Sequence, residues 1–242
     1  MSLNDPELVR AEYASEAGLL RRRSIYDDAL YEGSEGPLEV TFATIERLRP
    51  RRLLEAGCGP GEMAERIRNE LSAEVVAVDI SPRMIELARS RGVDAHVSDV
   101  QDLSLGDESF DCVLAAWMLF HVPDVDRGLS EIVRVLARGG HLVAVTNSEL
   151  HLAEARELAG IDMRGRVSFS RENGREILAR HFATVEQHDV EGWVTFADQN
   201  AVQRYVDTLD TLLQRSRYEV GPFDGELRAG TRVTVFIAEK AA

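Results

Sequence analysis

The sequence predicts an α/β fold, a doubly wound sheet of mostly parallel strands alternating with helices. Three observations predict it. Short apolar runs end in acids or glycines, and each is followed by a stretch with helical spacing. One of them, Leu53-Leu-Glu-Ala-Gly-Cys-Gly-Pro-Gly61, breaks into glycines on alternate positions just before a helix. The last run, 231–238, alternates and closes the sheet.

Taken in order, residues 1–35 read as one or two helices, with Val9, Tyr13, Ala17 and Leu20 at helical spacing. A Gly/Ser-rich break at 33–37 follows. Leu38, Phe42, Ile45 and Leu48 mark a second helix, ended by Pro50. The first strand is expected at 52–56, its helix at 63–71, the second strand at 74–79 and the third at 94–98. The fourth spans 109–118. Val125, Leu129, Ile132, Val133 and Leu136 build the next helix. Gly139 and Gly140 then supply the φ > 0 turn at the helix end that leads into a fifth strand at 141–146. A helix at 170–181, a sixth strand from Phe182 to about Val190 or further, a helix at 198–215 and a loop at 218–230 precede the last strand. The insertion helix carries Val202, Tyr205, Val206, Leu209, Leu212 and Leu213 on one face.

The chain has 242 residues, enough for one large domain. Hydrophobic residues make up 44% and charged residues 29%, the balance of a soluble globular protein. No apolar run approaches the ~20 residues of a membrane span. The N-terminus lacks the basic-then-apolar layout of a signal peptide. Cys58 and Cys112 fit no metal or disulfide framework, so a reducing, cytoplasmic setting is expected. A net charge of −14 argues against nucleic acid as a partner. The local basic run, Arg21 to Arg23, reads as a solvated helix face.

Glycines at 57, 59 and 61 let the chain turn sharply and bring bare backbone against a ligand. The free N–H groups opening the next helix favour an anionic group such as a carboxylate. A dinucleotide fingerprint needs G-x-G-x-x-G, but position 62, where its third glycine belongs, is Glu62. A nicotinamide-dependent oxidoreductase is therefore disfavoured, and the cradle suits a ligand with an amino-acid end and no phosphate. Asp79 ends the second strand about 20 residues beyond the loop, where an acid can accept hydrogen bonds from both hydroxyls of a ribose. Ser81 before Pro82 is the better helix cap.

These residues resemble the motifs of class I S-adenosylmethionine-dependent methyltransferases, in the group that acts on small molecules and includes ubiquinone- and menaquinone-biosynthesis enzymes. The resemblance is carried by the glycine loop, by Val78-Asp-Ile-Ser-Pro-Arg-Met84, by Phe110-Asp-x-Val113 and by the run 134–143, and it covers about 39–146 well. It implies a Rossmann-like seven-stranded sheet in the order 3-2-1-4-5-7-6, with the last strand antiparallel. It also implies an N-terminal helical lid (1–37), a core (38–191 and 231–242) and a substrate-covering insertion (192–230) in a single domain. The cofactor implied is S-adenosylmethionine, with S-adenosylhomocysteine as product. Its implied contacts are Glu55, Gly57, Cys58, Gly59, Gly61, Asp79, Ile80, Met84, Asp99, Val100, Ala116 and Trp117, with Tyr26 from the lid. Ile80 would pack on the adenine, and Asp99 would accept from the adenine amino group unless its carboxylate only forms a turn.

Tyr31 is a second lid candidate, and Met118 a neighbour of the reacting centre. His121 is the candidate general base, since an imidazole titrates near neutral pH, with cofactor-side packing, orienting the lid or capping a helix as the alternatives. Trp193, Phe196 and Tyr205 are candidate specificity residues, with core packing as the alternative. The place after the fourth strand holds Ala116-Trp-Met-Leu119 rather than an Asn-Pro-Pro-Tyr-type run, which favours a small organic acceptor. A monomer or homodimer is expected. The competing reading is a non-catalytic cofactor-binding or regulatory protein on the same fold.

Overall fold

Among the described residues eight strands form one sheet, and its order explains where a ligand can bind. The structure, a computed structural model, describes residues 4–13, 15, 19–20, 23–27, 29–31, 35–209 and 218–242. Expectations placed on Ala17, Arg21, Arg22, Gly33, Leu212 and Leu213 lie outside the described residues. The strands are β1 (Leu30–Tyr31), β2 (Arg52–Ala56), β3 (Glu74–Asp79), β4 (Asp94–Val97), β5 (Phe110–Ala116), β6 (Leu136–Asn147), β7 (Thr184–Phe196) and β8 (Leu227–Glu239). The helices are α1 (Pro6–Glu12), α2 (Pro37–Leu48), α3 (Glu62–Leu71), α4 (Pro82–Ser90), α5 (Val125–Val135), α6 (Ala153–Glu157), α7 (Gly174–Leu178) and α8 (Gln199–Asp207).

The sheet order is β1-β7-β8-β6-β5-β2-β3-β4. Its seven long-range strands reproduce the expected 3-2-1-4-5-7-6 order, and β8 runs antiparallel to both β6 and β7. The difference is an eighth strand at the edge. Residues 30–31, expected in a helix, pair antiparallel with Trp193 and Gly192 of β7. Gly192 makes this possible, because a Cβ there would lie 2.4 Å from the Leu30 carbonyl oxygen.

Local chemistry sets the ends of the helices. Pro37 and Pro82 occupy first-turn positions that need no N–H donor. Ser81 Oγ accepts from Met84 N–H, and Asp124 accepts from Arg127 N–H. Three boundaries differ from expectation. β5 stops at Ala116, because Trp117 takes φ 52°, left-handed backbone that no strand continues through. The expected helix at 170–181 shrinks to α7, because Asn173 holds a turn by accepting from Ser170 N–H and donating to the Val167 carbonyl. Strand β6 begins directly after α5, so Gly139, at φ 67°, bends the strand rather than ending the helix, and Gly140 lacks a positive φ.

Strand alternation sends successive side chains to opposite faces. Leu54 and Val113 pack with Leu129, Ile132 and Phe236 on one face. Leu53 and Leu114 pack with Ile45, Ile67 and Ile85 on the other. Each side chain so enclosed contributes about 1.5–3 kcal/mol. β7 and β8 continue into the stretch expected as an insertion, leaving 197–226 to bridge them. That far end of the hairpin builds a third apolar cluster with Leu152, Ile161, Val202 and Val206. No helix of the described residues is long and apolar enough to cross a membrane.

Candidate active site

The carboxyl ends of β3, β2, β5 and β6 lie side by side along one edge, the place where open α/β sheets bind ligands. The glycine loop is drawn over this edge by two hydrogen bonds, from the N–H groups of Gly57 (2.8 Å) and Cys58 (3.0 Å) to the Val78 carbonyl. Its three glycines serve different ends. A Cβ on Gly57 would meet Met118 Cβ at 2.6 Å, and one on Gly61 would meet Ala88 Cβ at 2.7 Å. These two glycines are therefore required for packing. Gly59, at φ 54°, has nothing within 4 Å of the missing Cβ and leaves open space.

Asp79 binds the loop. Its Oδ2 accepts from Gly59 N–H at 2.9 Å, and its Oδ1 from Ser81 N–H at 2.8 Å. Burial raises its pKa, against the lowering effect of these N–H donors. Glu55, 4% exposed, sits beneath the loop with Oε2 buried and without a partner. Burial first, and then the charges of Asp79 and Glu62, push its pKa to about 8 in spite of a hydrogen bond from the Ala64 backbone. Cys58 is buried, its thiol pushed far up by burial and by Glu55 and Asp79, so it stays protonated.

The other expected contacts fall around this centre. Ile80 is half-buried beside Asp79, whereas Met84 and Val100 are enclosed in the core. Asp99 forms the turn weighed as its alternative role, accepting from Gln101 N–H at 2.9 Å and from the Gln101 side-chain amide at 3.1 Å. Ala116 is half-buried at the end of β5. Trp117 Nε1 donates to Asn147 Oδ1 at 3.0 Å, which ties the ends of β5 and β6 together.

The N-terminal segment crosses the same edge. Tyr13 accepts from Ser81 Oγ through its carbonyl (2.8 Å), and its Oη lies 3.0 Å from Nε2 of His121. His121 is buried, with the Phe120 ring 4.3 Å away. Arg23 pairs with Glu62, which Arg91 also contacts at 3.3 Å. Tyr26, expected at the cofactor, has its Oη 2.8 Å from Nε2 of His151, beyond β6. Tyr31 packs in strand β1 against Gly36 and Gly192, and burial raises its pKa. Trp193 lies under the Arg228 guanidinium at 3.6 Å, and Phe196 and Tyr205 are buried against each other at 5.8 Å. The packing alternative thus describes Phe196 and Tyr205.

Sequence reasoning did not single out Tyr13, His151 or Arg156 as site residues. Tyr13 had been placed only by its helical spacing. The other two lie past the motif-bearing strands and loops, where the sequence carries no comparable pattern.

Residues 54–144 match the family model described as a methyltransferase domain. An uncharacterized methyltransferase of Mycobacterium bovis is 31% identical over 201 residues, 79% of this chain and 75% of the relative. A ubiquinone biosynthesis O-methyltransferase of Xanthomonas oryzae pv. oryzae is 34% identical over 132 residues, 52% of this chain. The match spans about half of that enzyme's length, 54%, and 44% of a curated methyltransferase of Streptomyces halstedii. Among solved structures, a Haemonchus contortus phosphoethanolamine N-methyltransferase 2 in complex with S-adenosyl-L-methionine superposes with a TM-score of 0.64 at 22% identity. It covers 100% of this chain and 60% of that one.

Proposed function

Because the chain belongs to the class I S-adenosylmethionine-dependent methyltransferases, we propose that it transfers a methyl group from S-adenosylmethionine to a small organic acceptor by in-line displacement. The observation that carries the reading is the open face of Gly59 between two acids, Asp79 on its N–H and Glu55 below with a buried oxygen that has no partner. A nucleoside with an amino-acid tail satisfies all three. Gly59 would take its chain against bare backbone, Asp79 would accept from its ribose hydroxyls with lone pairs beyond the two N–H bonds, and Glu55 would meet its ammonium group. Bound there, S-adenosylmethionine would supply a methyl group already activated by the positive sulfur.

The protein's share of the work is alignment and exclusion of water. Good alignment is worth ~7–11 kcal/mol, and no metal or covalent intermediate is required. Ala116 leaves space at the end of β5, while the Trp117–Asn147 bond fixes the neighbouring wall. Tyr13 crosses the edge with its Oη on His121, and His121 would take the proton from an acceptor that must lose one.

Calorimetric titration tests the reading. S-adenosylhomocysteine is expected to bind the chain one to one, with NAD showing no heat. Binding of NAD in its place, or of neither, overturns the proposal.

A further inference from the structure

The sheet edge carries a polar side chain that the proposed transfer uses only as a wall. Asn147 ends β6, and its backbone is committed on both sides. It pairs with Val233 of β8, and its carbonyl accepts from Arg171 N–H at 3.1 Å. Its side-chain Oδ1 accepts from Trp117 Nε1 at 3.0 Å. An indole N–H can only donate, so it selects the oxygen of the amide and turns the NH2 group the other way. That group, Nδ2, has no partner among the described residues and is open to solvent. Trp117 is itself held in place. Its N–H donates to the Val145 carbonyl at 2.8 Å, and its backbone stands at φ 52°. Left-handed backbone is strained for a bulky side chain, and strain of this kind collects at ligand sites.

Register puts this amide beside the proposed transfer site. Alternation places Asp79, Glu55, Ala116 and Asn147 on the same face of the sheet, the face that Leu114 and Val145 share. Glu55 pairs with Leu114, and Ala116 pairs with Val145. Asn147 therefore stands one strand over from Ala116 and two residues further out. Strands ~4.8 Å apart that rise ~3.3 Å per residue put their Cα atoms about 8 Å from each other. The glycine loop reaches the same ground, because a Cβ on Gly57 would meet Met118, the residue after Trp117. Along the edge the order is Asp79 on β3, the loop after β2, Ala116 on β5 and Asn147 on β6. The cofactor reading fills the first two places and brings its methyl group to the third. In-line displacement needs the acceptor on the side of the methyl group away from the sulfur, and the Asn147 amide is the next group on that side.

We propose that Asn147 determines specificity on the acceptor side: its Nδ2 donates to an oxygen of the methyl acceptor, a carbonyl, phenol or carboxylate oxygen next to the atom that takes the methyl group. The proposal rests on the methyltransferase reading for the word acceptor; a fixed donor at the end of β6 does not depend on it. An NH2 group offers two donors and no lone pair, so it matches an oxygen that accepts and turns an ammonium group away. The indole bond sets this direction before any ligand arrives, so the ligand does not have to order the amide.

The test uses the full chain saturated with S-adenosylhomocysteine and two probes of nearly equal shape, acetophenone and α-methylstyrene, in which CH2 replaces the carbonyl oxygen. The chain has two tryptophans, so their indole N–H resonances, assigned with Trp193→Phe, report binding beside Asn147. Acetophenone should shift the Trp117 resonance, and titrating that shift gives each affinity. Asn147→Asp keeps the shape and an oxygen for the indole but removes both donors. The ratio of acetophenone to α-methylstyrene affinity should then fall about three- to tenfold, the worth of one hydrogen bond. Asn147→Ala, which removes the donors without adding a charge, should lower the ratio likewise and serves if the charged variant does not fold. A side chain that only ties β5 to β6 predicts instead that Asn147→Asp keeps the ratio. A ratio within about twofold of wild type in either variant, or no acetophenone shift at Trp117, overturns the proposal. Calorimetry with S-adenosylhomocysteine verifies that each variant folds. If wild type fails to bind it while the acetophenone preference still follows Asn147, the methyltransferase reading falls and the donor stands.

Discussion

Glu55→Gln isolates the cost of an acid buried beneath the glycine loop. Glu55 has an ordinary pKa near 4.5, and in the folded chain it titrates at about 8. The folded state thus holds this proton more tightly than the unfolded chain. The stabilisation is complete below pH 4.5 and is lost as the pH rises through 8. Each pH unit between those limits removes ~1.36 kcal/mol, so the loss reaches about 5 kcal/mol above pH 8 and about 3 kcal/mol at pH 7. Glutamine keeps an oxygen for the Ala64 N–H and never ionises. Urea denaturation at pH 5 and pH 9 is the assay. The variant should gain on wild type by about 4 kcal/mol between the two conditions, because every other titrating group is common to both proteins. A difference that stays constant across this range refutes the buried, partnerless state of Glu55. The gain should come with weaker binding of S-adenosylhomocysteine at pH 9, where wild-type Glu55 carries its charge and the amide cannot counter an ammonium group.

Asp79→Ala removes the acceptor for Gly59 N–H and for the proposed ribose, and should weaken S-adenosylhomocysteine by about 10- to 100-fold in calorimetry. Gly59→Ala and Gly61→Ala make a discriminating pair. At Gly59 only the left-handed backbone penalty applies, about 1–2 kcal/mol, so the variant should fold yet lose cofactor affinity because its methyl enters the open space. At Gly61 the added Cβ also meets Ala88 at 2.7 Å, so the melting temperature should fall further. His121→Ala should lower kcat on a proton-losing acceptor by about 100-fold or more and leave cofactor affinity unchanged. Equal loss of both would assign His121 to the cofactor pocket instead.

The sheet was legible because its signals are local. Leu53 to Ala56, Glu74 to Asp79 and Phe110 to Ala116 are short apolar runs, each ended by a glycine, an acid or a break, and their order follows from the family resemblance. Asp79 was legible for the same reason, as an acid at a strand end a fixed distance past a glycine loop. What was not legible depends on contacts between distant residues. Residues 30–31 become a strand because Gly192 admits them, some 160 positions away. Tyr13 meets His121 and Tyr26 meets His151 across separations of 108 and 125 residues. Arg156 looks like any helical surface arginine, and only burial turns it into a chemical problem. Phe196 and Tyr205 were open to either specificity or core packing in the sequence, and the fold buries them against each other.

One arrangement joins the two halves of the site. The N-terminal segment touches the end of β3 and the turn after β5 through Tyr13 at Ser81 and His121, the loop helix through Arg23 at Glu62, and the turn after β6 through Tyr26 at His151. None of these ties is strong alone: an exposed ion pair is worth about 0–1 kcal/mol and a net hydrogen bond about 0.5–1.5 kcal/mol. The contacts are spread over the two sides of the sheet edge, so Tyr13→Phe, which removes only the hydroxyl at His121, should leave Tyr26 at His151 in place and cost no more than one such hydrogen bond in urea denaturation.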